Sequence, residues 1–414
     1  MKKTRPPKAK PVNAIESSIK SWLEDLPIEL VETIKSTVED LIASAPRRWV
    51  VYPPMVLLPS GSFSQDWWSN SGLILDADKV HYKQDLWRRI LEGITKREGK
   101  GLLTHLAVNA GIPLHVSAAA AGPDKQENII RTPTGLIMLY GDFGPDLPPD
   151  YPPSEEDFRQ AFWVSTKQNG IVQVWAPRYT MFSRGNIKEK ARLLEFHDSS
   201  AATTATTTRE NGLDSRTIKS KEQLSKEIAV DLYAGIGYFV FSYVKMGMRK
   251  VIGWELNPWS VEGLRRGAVV NGWSIKVIQG TTADVGNPVL GGDEHIVVFL
   301  ENNRMAEQRL KDADLSGLIT HVNCGLLPTS DGNWRMALGM VKREGWLHLH
   351  ENIGVNDVDQ RKMEIQELFQ RWMKEDSDER NAEVQHVEYV KTFAPGVWHC
   401  VLDLYISETA QTNG

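Results

Sequence analysis

A short turn with two glycines is the part of the sequence best suited to chemistry. Gly235 and Gly237 follow Asp231, between an apolar, strand-like segment at 228–230 and a helix-like segment at 239–246. Glycine has no side chain, so a turn of this kind lets the backbone come close to a bound nucleoside. We therefore expect Gly235 and Gly237 to contact such a ligand through their backbone.

An acidic residue stands at the distance that this interpretation requires. Glu255 lies 18 residues after Gly237, at the end of a second apolar segment, 251–254. A carboxylate there can accept hydrogen bonds from two ribose hydroxyls. The order strand, glycine turn, helix, strand and acid predicts a nucleotide-binding unit. The alternative is an ordinary strand-to-helix turn whose glycines serve only close packing.

The residues around the turn favour a nucleotide without phosphate. Val240 replaces the third glycine of the dinucleotide fingerprint, and Asp231 would repel a phosphate group. An acid suits the sulfonium and the ammonium of S-adenosylmethionine, which has no phosphate. We expect Asp231 to shape the pocket at that cationic end, and a nicotinamide-dependent oxidoreductase is the weaker alternative.

Strand-like and helix-like segments alternate from Ile228 to Ile406, a pattern typical of a doubly wound α/β domain. Two β-rich runs, 384–392 and 397–406, flank the turn 394–396 and predict a terminal antiparallel hairpin. We therefore predict a Rossmann-like, adenosylmethionine-dependent transferase domain with this hairpin, preceded by smaller α+β domains. The predicted division of the chain is a basic disordered tail at 1–14, an N-terminal domain at 15–125, a linker or α+β domain at 126–197, a Ser/Thr-rich disordered insertion at 198–222, the catalytic domain at 223–408 and a tail at 409–414.

Composition narrows the class of protein. The 414 residues carry a formal net charge of -5, so no overall positive field indicates nucleic acid, although five Lys/Arg fall within residues 1–10. The two cysteines, Cys324 and Cys400, exclude a cysteine-based zinc cluster and a disulfide framework, and they fit a reducing compartment. We expect no metal, no membrane span, no obligate protein partner and a cytoplasmic location.

A second candidate site lies in the basic stretch 178–192, which has five basic residues and one acid. Ser183, together with 184–186, is expected to cap a helix that begins near Ile187. Its hydroxyl and the backbone N–H groups would suit a carboxylate, with which Lys190, one turn into the helix, could pair. The alternative is a capped, solvated basic helix without a ligand.

A third candidate, Asn323, follows the strand-like segment 318–322, at the carboxyl end where open α/β sheets bind ligands. Enzymes that methylate a planar exocyclic amine often have Asn or Asp here, followed by two prolines and an aromatic residue. This chain has the asparagine without the rest of that motif, which counts against such a reaction. Asn323 is then either a substrate contact or a plain turn residue.

Several blocks, in one order along the chain, resemble the aminocarboxypropyl transferases of wybutosine synthesis. The carboxyl-terminal blocks are APRYTMFSRGNIKEKAR (176–192), VDLYAGIGYF (230–239), GWELNPWSVEGLRRGAVVNG (253–272), HVNCGLLPTS (321–330), GWLHLHEN (345–352) and APGVWHCVLDLY (394–405). The amino-terminal blocks, which are similar to the eukaryotic members, are RRWVVYPPMVLLPSGSF (47–63), THLAVNAGIP (104–113) and LYGDFGP (139–145). The neighbouring tRNA guanine-N1 methyltransferases share the Asn257-Pro258 pair but resemble the block GLLPTS (325–330) less closely.

The resemblance implies a reaction and a set of ligand contacts. The 3-amino-3-carboxypropyl group would pass from S-adenosylmethionine to C7 of 4-demethylwyosine, at position 37 of phenylalanine tRNA, with release of methylthioadenosine. The contacts of the family carry over to Ser183, Lys190, Glu255, Asn302 and Asn303, and Asn302 replaces the usual acid at the adenine contact.

The group that is transferred depends on which carbon next to the sulfonium faces the nucleophile. An anchor for the carboxylate, made by Ser183 and Lys190, would present Cγ of the methionine part in place of the methyl group. Positive patches are expected to contact the tRNA phosphates. The candidates, without a ranking among them, are Arg184, Arg178, Arg47, Arg48 and the amino-terminal tail.

The acceptor of the proton from C7 stays unassigned. Three histidines near strand ends are more typical of structural than of catalytic groups, namely His321, His348 and His350. Two other functions stay open: a tRNA guanine-N1 methyltransferase with the same fold, and a non-catalytic tRNA-binding scaffold with a vestigial nucleotide fold. The intact Asp231 and Glu255 argue against the scaffold.

Overall fold

Two compact units make up the chain. The first comprises Met1–Thr166 and Ala176–Met181, and the second comprises Lys167–Trp175 and Phe182–Gly414. A computed structural model describes residues 12–33, 37–64, 80–111, 115–117, 125–128, 133, 135–148, 151–198, 218–280 and 292–408. Most of the predicted tails and of the predicted Ser/Thr-rich insertion lies outside these ranges, and the predicted domain boundaries stay predictions.

The first unit combines five helices and six complete strands of the described chain with one small core. The helices are α1 (Ala14–Glu24), α2 (Ile28–Thr33), α3 (Val38–Ser44), α4 (Val80–Glu98) and α5 (Glu155–Gln160). The strands are β1 (Val50–Tyr52), β2 (Met55–Leu58), β3 (His105–Val108), β4 (His115–Ser117), β5 (Lys125–Glu127) and β6 (Ile137–Tyr140). One sheet has the order β1-β2-β3-β6, and β4 pairs with β5. Ile15, Ile19 and Ile90 are fully buried because their helical spacing turns them towards this sheet.

The second unit is built on a large sheet that helices cover. Its helices are α6 (Ile187–Leu194), α7 (Lys221–Leu224), α8 (Val240–Met246), α9 (Pro258–Val270), α10 (Ala306–Asp312), α11 (Trp334–Met340) and α12 (Val358–Glu375). β7 (Val164–Gln168) begins in the first unit and ends in the second. The later strands, all in the second unit, are β8 (Ile171–Trp175), β9 (Ile228–Asp231), β10 (Lys250–Glu255), β11 (Ile275–Gln279), β12 (Ile296–Leu300), β13 (Ile319–Cys324), β14 (Gly345–Gly354), β15 (Arg380–Ala394) and β16 (Val397–Glu408). β7 and β8 form a hairpin around Asn169-Gly170, where both residues have positive φ.

The large sheet has eight strands in the order β11-β12-β10-β9-β13-β14-β16-β15. The first six run parallel, β16 runs antiparallel to β14, and β15 runs antiparallel to β16. The doubly wound fold and the terminal antiparallel hairpin are therefore confirmed. The strand order reverses direction at β9, between β10 and β13, which is the place where open α/β sheets bind ligands.

Strand β9 shows how this sheet positions polar groups inside a core. Alternation places Val230 in one buried apolar cluster and Ala229 in another, on the opposite face of the sheet. Asp231 ends the strand on the Ala229 side, and Asn323 is its partner on the neighbouring strand β13. This face of the sheet therefore carries buried polar side chains at its carboxyl-terminal edge.

Helix α9 begins directly after the predicted ribose acid. Asn257 caps the helix, since its side-chain oxygen accepts a hydrogen bond from the N–H of Trp259 at 3.0 Å. Pro258 holds the first helical position, where its missing N–H costs nothing. No helix in the described ranges is long and apolar enough to span a membrane.

Candidate active site

The glycine turn links β9 to α8 and adopts a backbone conformation that favours glycine. Gly235 has a φ of 54° and Gly237 a φ of 90°, both in the left-handed region. A Cβ added to Gly237 would lie 2.7 Å from the ring of Phe241. The absence of a side chain thus lets the turn lie close against the helix that follows it.

Glu255 fixes the glycine turn to the start of α9. Its Oε2 accepts a hydrogen bond from the N–H of Gly235 at 2.8 Å, and its Oε1 accepts one from the N–H of Asn257 at 2.8 Å. Burial raises the pKa of this carboxyl above its ordinary value. A carboxylate can accept about four hydrogen bonds, so acceptor sites are left for two ribose hydroxyls.

Asp231 is a fully buried acid at the mouth of the same turn. Its Oδ1 accepts hydrogen bonds from the N–H of Tyr233 at 3.1 Å and from Nδ2 of Asn323 at 3.0 Å. Its buried Oδ2 has no hydrogen-bond partner among the described residues. Burial raises the pKa of Asp231 to about 6. A buried carboxylate with an unpaired oxygen gains from a cationic ligand and disfavours a phosphate.

The predicted substrate residue Asn323 lies inside a hydrogen-bonded network. Its amide nitrogen donates to Asp231, and its Oδ1 lies 3.2 Å from Nε2 of His350. The ring of Phe239, in the glycine turn, packs on the ring of His350 with centroids 5.1 Å apart. Asn323, on β13, therefore links Asp231 at the end of β9 to His350 on β14 by side-chain hydrogen bonds.

Two asparagines after β12 lie at the edge of this turn. Nδ2 of Asn303 donates a hydrogen bond to the carbonyl of Leu232 at 2.8 Å, which holds the beginning of the glycine turn. The side chain of Asn302 is exposed, and its Oδ1 accepts from the N–H of Arg304 at 2.9 Å. The structure thus brings the asparagine pair to the same strand end as Asp231.

Ser183 reaches the glycine turn through its backbone. Its N–H donates a hydrogen bond to the hydroxyl of Tyr238 at 3.0 Å. The prediction that the Ser183 side chain caps α6 is wrong, because a 3-10 turn, Arg184–Asn186, precedes the helix and no side chain caps either element. The hydroxyl of Ser183 is therefore left for another partner, and Arg184 is exposed on the surface.

Lys190 is buried, whereas the alternative prediction was a basic helix face exposed to solvent. Its Nζ donates to Oε1 of Gln168 at 2.7 Å and to Oε1 of Gln173 at 2.8 Å. The same ammonium lies 5.1 Å from the ring centroid of Phe182 and 5.7 Å from that of Tyr238. Burial lowers the pKa of Lys190 to about 8. The ammonium of Lys190 thus lies near the ring of Tyr238, whose hydroxyl accepts the hydrogen bond from the N–H of Ser183.

The buried histidines form hydrogen-bonded chains that the sequence did not indicate. Nδ1 of His321 lies 2.9 Å from Nε2 of His348, and Nδ1 of His348 lies 2.7 Å from Oδ1 of Asp403. Asp403 also pairs with Arg192 of α6, so this chain ends in an ion pair. His350 belongs to a different chain, in which its Nδ1 lies 3.0 Å from Nε2 of His399.

The sequence did not single out Lys391 and His399, which contact two residues named above: Nζ of Lys391 lies 3.5 Å from Oγ of Ser183, and Nε2 of His399 lies 3.0 Å from Nδ1 of His350. They face each other across the terminal hairpin as register partners of β15 and β16. The available signal was their position in the two β-rich runs of the predicted hairpin, which closes the sheet beside β14. In the described part of the chain, no cluster of three or more His, Cys, Asp or Glu could hold a metal ion.

Curated relatives resemble the chain over most of its length. The tRNA wybutosine-synthesizing protein 2 of Schizosaccharomyces pombe is 36% identical over 398 residues, which cover 94% of this chain and 81% of that protein. The protein of the same name from Saccharomyces cerevisiae is 31% identical over 427 residues, which cover 95% of this chain and 80% of that protein. No protein-family model matches the chain.

Solved structures share the fold. TYW2 of Pyrococcus horikoshii in complex with MeSAdo has a TM-score of 0.53 at 19% identity, with 95% of this chain and 100% of that chain covered. Trm5b from Pyrococcus abyssi has a TM-score of 0.51 at 12% identity, with 90% and 79% covered. At these identities the likeness concerns the fold alone, and it agrees with the doubly wound sheet described above.

Proposed function

The chain belongs to the tRNA wybutosine-synthesizing protein 2 family, and from that premise we propose the reaction and the substrate. It transfers the 3-amino-3-carboxypropyl group of S-adenosylmethionine to C7 of 4-demethylwyosine, at position 37 in the anticodon loop of phenylalanine tRNA. Methylthioadenosine is the second product. The observation that carries the proposal is the buried carboxylate of Asp231 beside the glycine turn, because it suits a sulfonium nucleoside and repels a phosphate.

The residues at the sheet edge fit such a nucleoside. Glu255 has acceptor sites left for the ribose, and Gly235 and Gly237 offer backbone without side chains. Asn302 and Asn303 lie beside the turn, where the resemblance to the family implies the adenine contact. When bound, adenosylmethionine supplies an electrophilic carbon activated by the adjacent sulfonium.

Positioning is the main contribution of this chain to the reaction. Asp231 stabilises positive charge at the mouth of the turn, and it is itself held by Asn323. The backbone N–H of Ser183 donates a hydrogen bond to the hydroxyl of Tyr238, and the ammonium of Lys190 lies 5.7 Å from the centroid of the Tyr238 ring. Fixing the carboxylate end of the methionine part determines which carbon faces the base, and alignment of this kind is worth several orders of magnitude in rate.

The protein acts on tRNA, and the target base has to be turned out of its stack to reach a buried site. We assign the contact with tRNA phosphates to the exposed side chain of Arg184, which follows Ser183 directly. The buried, unpaired cysteines Cys324 and Cys400 fit a reducing compartment, and we place the reaction in the cytoplasm.

A split of radioactive label tests the reaction. Phenylalanine tRNA that carries 4-demethylwyosine is incubated with adenosylmethionine labelled in the methyl carbon or, separately, in the methionine carboxyl carbon. We expect only carboxyl label in the tRNA, with methyl label recovered in methylthioadenosine. Methyl label in the tRNA would overturn the proposal in favour of a tRNA guanine-N1 methyltransferase. Label in neither, with no binding of adenosylmethionine, would indicate the non-catalytic scaffold.

A further inference from the structure

Lys391 presents a cation beside Ser183. Its Nζ lies 3.5 Å from Oγ of Ser183, and the side chain is partly buried. No carboxylate of the described residues forms an ion pair with Lys391. Burial without a counter-charge lowers the pKa of Lys391 below its ordinary value. A cation held in this way is stabilised by an anionic ligand.

The backbone opposite Lys391 leaves room for this side chain. A Cβ added to Gly185 would lie 2.7 Å from Nζ of Lys391, so only glycine fits there with the lysine in place. Ser183 and Gly185 flank the exposed Arg184 at the start of α6. The approach of Lys391 to Ser183 therefore depends on the one residue of this turn that lacks a side chain.

A hydrogen-bonded chain determines the state of His399, the cross-strand partner of Lys391. Asp231 accepts from Nδ2 of Asn323, so the amide oxygen of Asn323 faces His350 and requires a proton on Nε2 of His350. Burial lowers the pKa of His350 well below its ordinary value, so the ring is neutral and its Nδ1 is an acceptor.

The proton between the two rings must then come from His399. Nε2 of His399 lies 3.0 Å from Nδ1 of His350 and donates to it. Burial, together with the charge of Lys391, lowers the pKa of His399 to about 4, so this ring is also neutral. Its Nδ1 is therefore a bare acceptor, and this buried atom has no hydrogen-bond partner among the described residues.

We propose that Lys391 and His399 bind the α-amino-acid end of S-adenosylmethionine. Lys391, with the hydroxyl of Ser183, takes the carboxylate, and the bare Nδ1 of His399 accepts a hydrogen bond from the ammonium. A cation and an acceptor on adjacent strands match the two opposite charges of a zwitterion. This assignment rests on the proposed function, and it adds two ligands from the terminal hairpin to that site.

The anchor gives the terminal hairpin a part in selecting the transferred group. Lys391 and His399 would hold both charged groups on Cα of the methionine part, and the chain Asp231–Asn323–His350–His399 connects this anchor to the glycine turn. Cγ is two bonds from Cα, so fixing Cα limits the orientations of the carbon that is transferred.

Calorimetric binding of three ligands to the full chain distinguishes the carboxylate contact from the ammonium contact. Adenosylmethionine has both charged groups, decarboxylated adenosylmethionine has only the ammonium, and methylthioadenosine has neither. We expect Lys391→Met to weaken adenosylmethionine binding about tenfold to a hundredfold, the range of a hydrogen bond to a charged group. The dissociation constants of the other two ligands should change less than about twofold, because neither carries the carboxylate that this lysine binds.

Two further variants distinguish the loss of a ligand contact from a general loss of folding. His399→Leu removes the acceptor atom together with the donor to His350, so it should weaken both ligands that carry the ammonium and leave methylthioadenosine unchanged. Gly185→Ala displaces only the flexible end of Lys391 and should reproduce the Lys391→Met pattern.

The outcomes separate the anchor from the proposed function. Equal weakening of all three ligands by Lys391→Met, or no weakening of adenosylmethionine, would overturn the anchor while the proposed function stands. Failure of the unaltered protein to bind both adenosylmethionine and methylthioadenosine would overturn the proposed function, and the anchor with it.

Discussion

Replacing Gly237 by alanine is expected to destabilise the second unit through one defined overlap. The added Cβ would lie 2.7 Å from two carbons of the Phe241 ring, which is fully buried. The same two ring carbons are also close to a second glycine, since a Cβ on Gly267 would lie 2.9 Å from each of them. Phe241 is therefore closely packed against two glycines, and neither the turn nor the buried ring can move cheaply.

Two costs add in this variant. An alanine at positive φ destabilises the folded state by about 1–2 kcal/mol. Alanine also reduces the conformational freedom of the unfolded chain, which offsets roughly 0.4–1 kcal/mol of that cost. Carbon atoms prefer a separation of about 3.5–4.0 Å, and overpacking of a core costs about 1–3 kcal/mol. We therefore expect the free energy of unfolding to fall by about 2–4 kcal/mol.

Urea unfolding followed by tryptophan fluorescence measures this change, and Gly272→Ala is the matched control. Gly272 has a φ of 78°, but a Cβ added there meets no atom within 4 Å. The control should lose only the backbone part, about 1 kcal/mol. The steric reasoning is refuted if Gly237→Ala loses no more stability than Gly272→Ala.

Two further changes test buried charges. Burial raises the pKa of Asp231 to about 6, above the unfolded value of about 3.9, so the folded state binds the extra proton and its stability falls as pH rises from about 4 to 6. Asp231→Asn should remove this fall in stability, stabilise the protein at pH 7.5 by up to about 3 kcal/mol and weaken adenosylmethionine binding. Urea unfolding at about pH 4 and at pH 7.5 measures the stability, and calorimetry measures the binding. An unchanged pH dependence in the variant would contradict the prediction. Burial opposes ionisation of Asp403, but the charge of Arg192 holds the pKa of Asp403 well below its usual range, so this group contributes stability above pH about 4 that is lost as pH falls through the lowered pKa. Arg192→Met should cost about 3–5 kcal/mol at pH 7, and the exposed pair Arg343–Glu408 supplies the control, since Arg343→Met should cost less than about 1 kcal/mol in the same melts.

The strand, turn and acid of the large sheet could be predicted because their signals are local. Parallel strands that are covered on both faces need short continuous apolar runs, and the segments before Asp231 and Glu255 have them. Glycine is favoured where the backbone enters the left-handed region, as it does at Gly237. The fold class and the position of the turn followed directly from these patterns.

The surroundings of α6 could not be predicted, because their partners are distant in sequence. The N–H of Ser183 bonds to a residue 55 positions away, and Arg192 pairs with an acid 211 positions away. From sequence the helix resembles a solvated basic helix, yet Lys190 is buried between two glutamine side chains of the preceding hairpin. Only tertiary structure decides whether such a charge faces water or a ligand.

The order of strands in the large sheet also has a consequence for synthesis on the ribosome. β16 enters the sheet between β14 and β15, although it follows both of them in the chain. Until β16 is made, the ten residues of Gly345–Gly354 that pair with it form an open edge. A ribosome that adds about 5–20 residues per second takes about 3–10 s to extend the chain from β14 to the end of β16. The last step of sheet formation must wait for that interval, during which the nascent chain needs its β14 edge shielded from other strands.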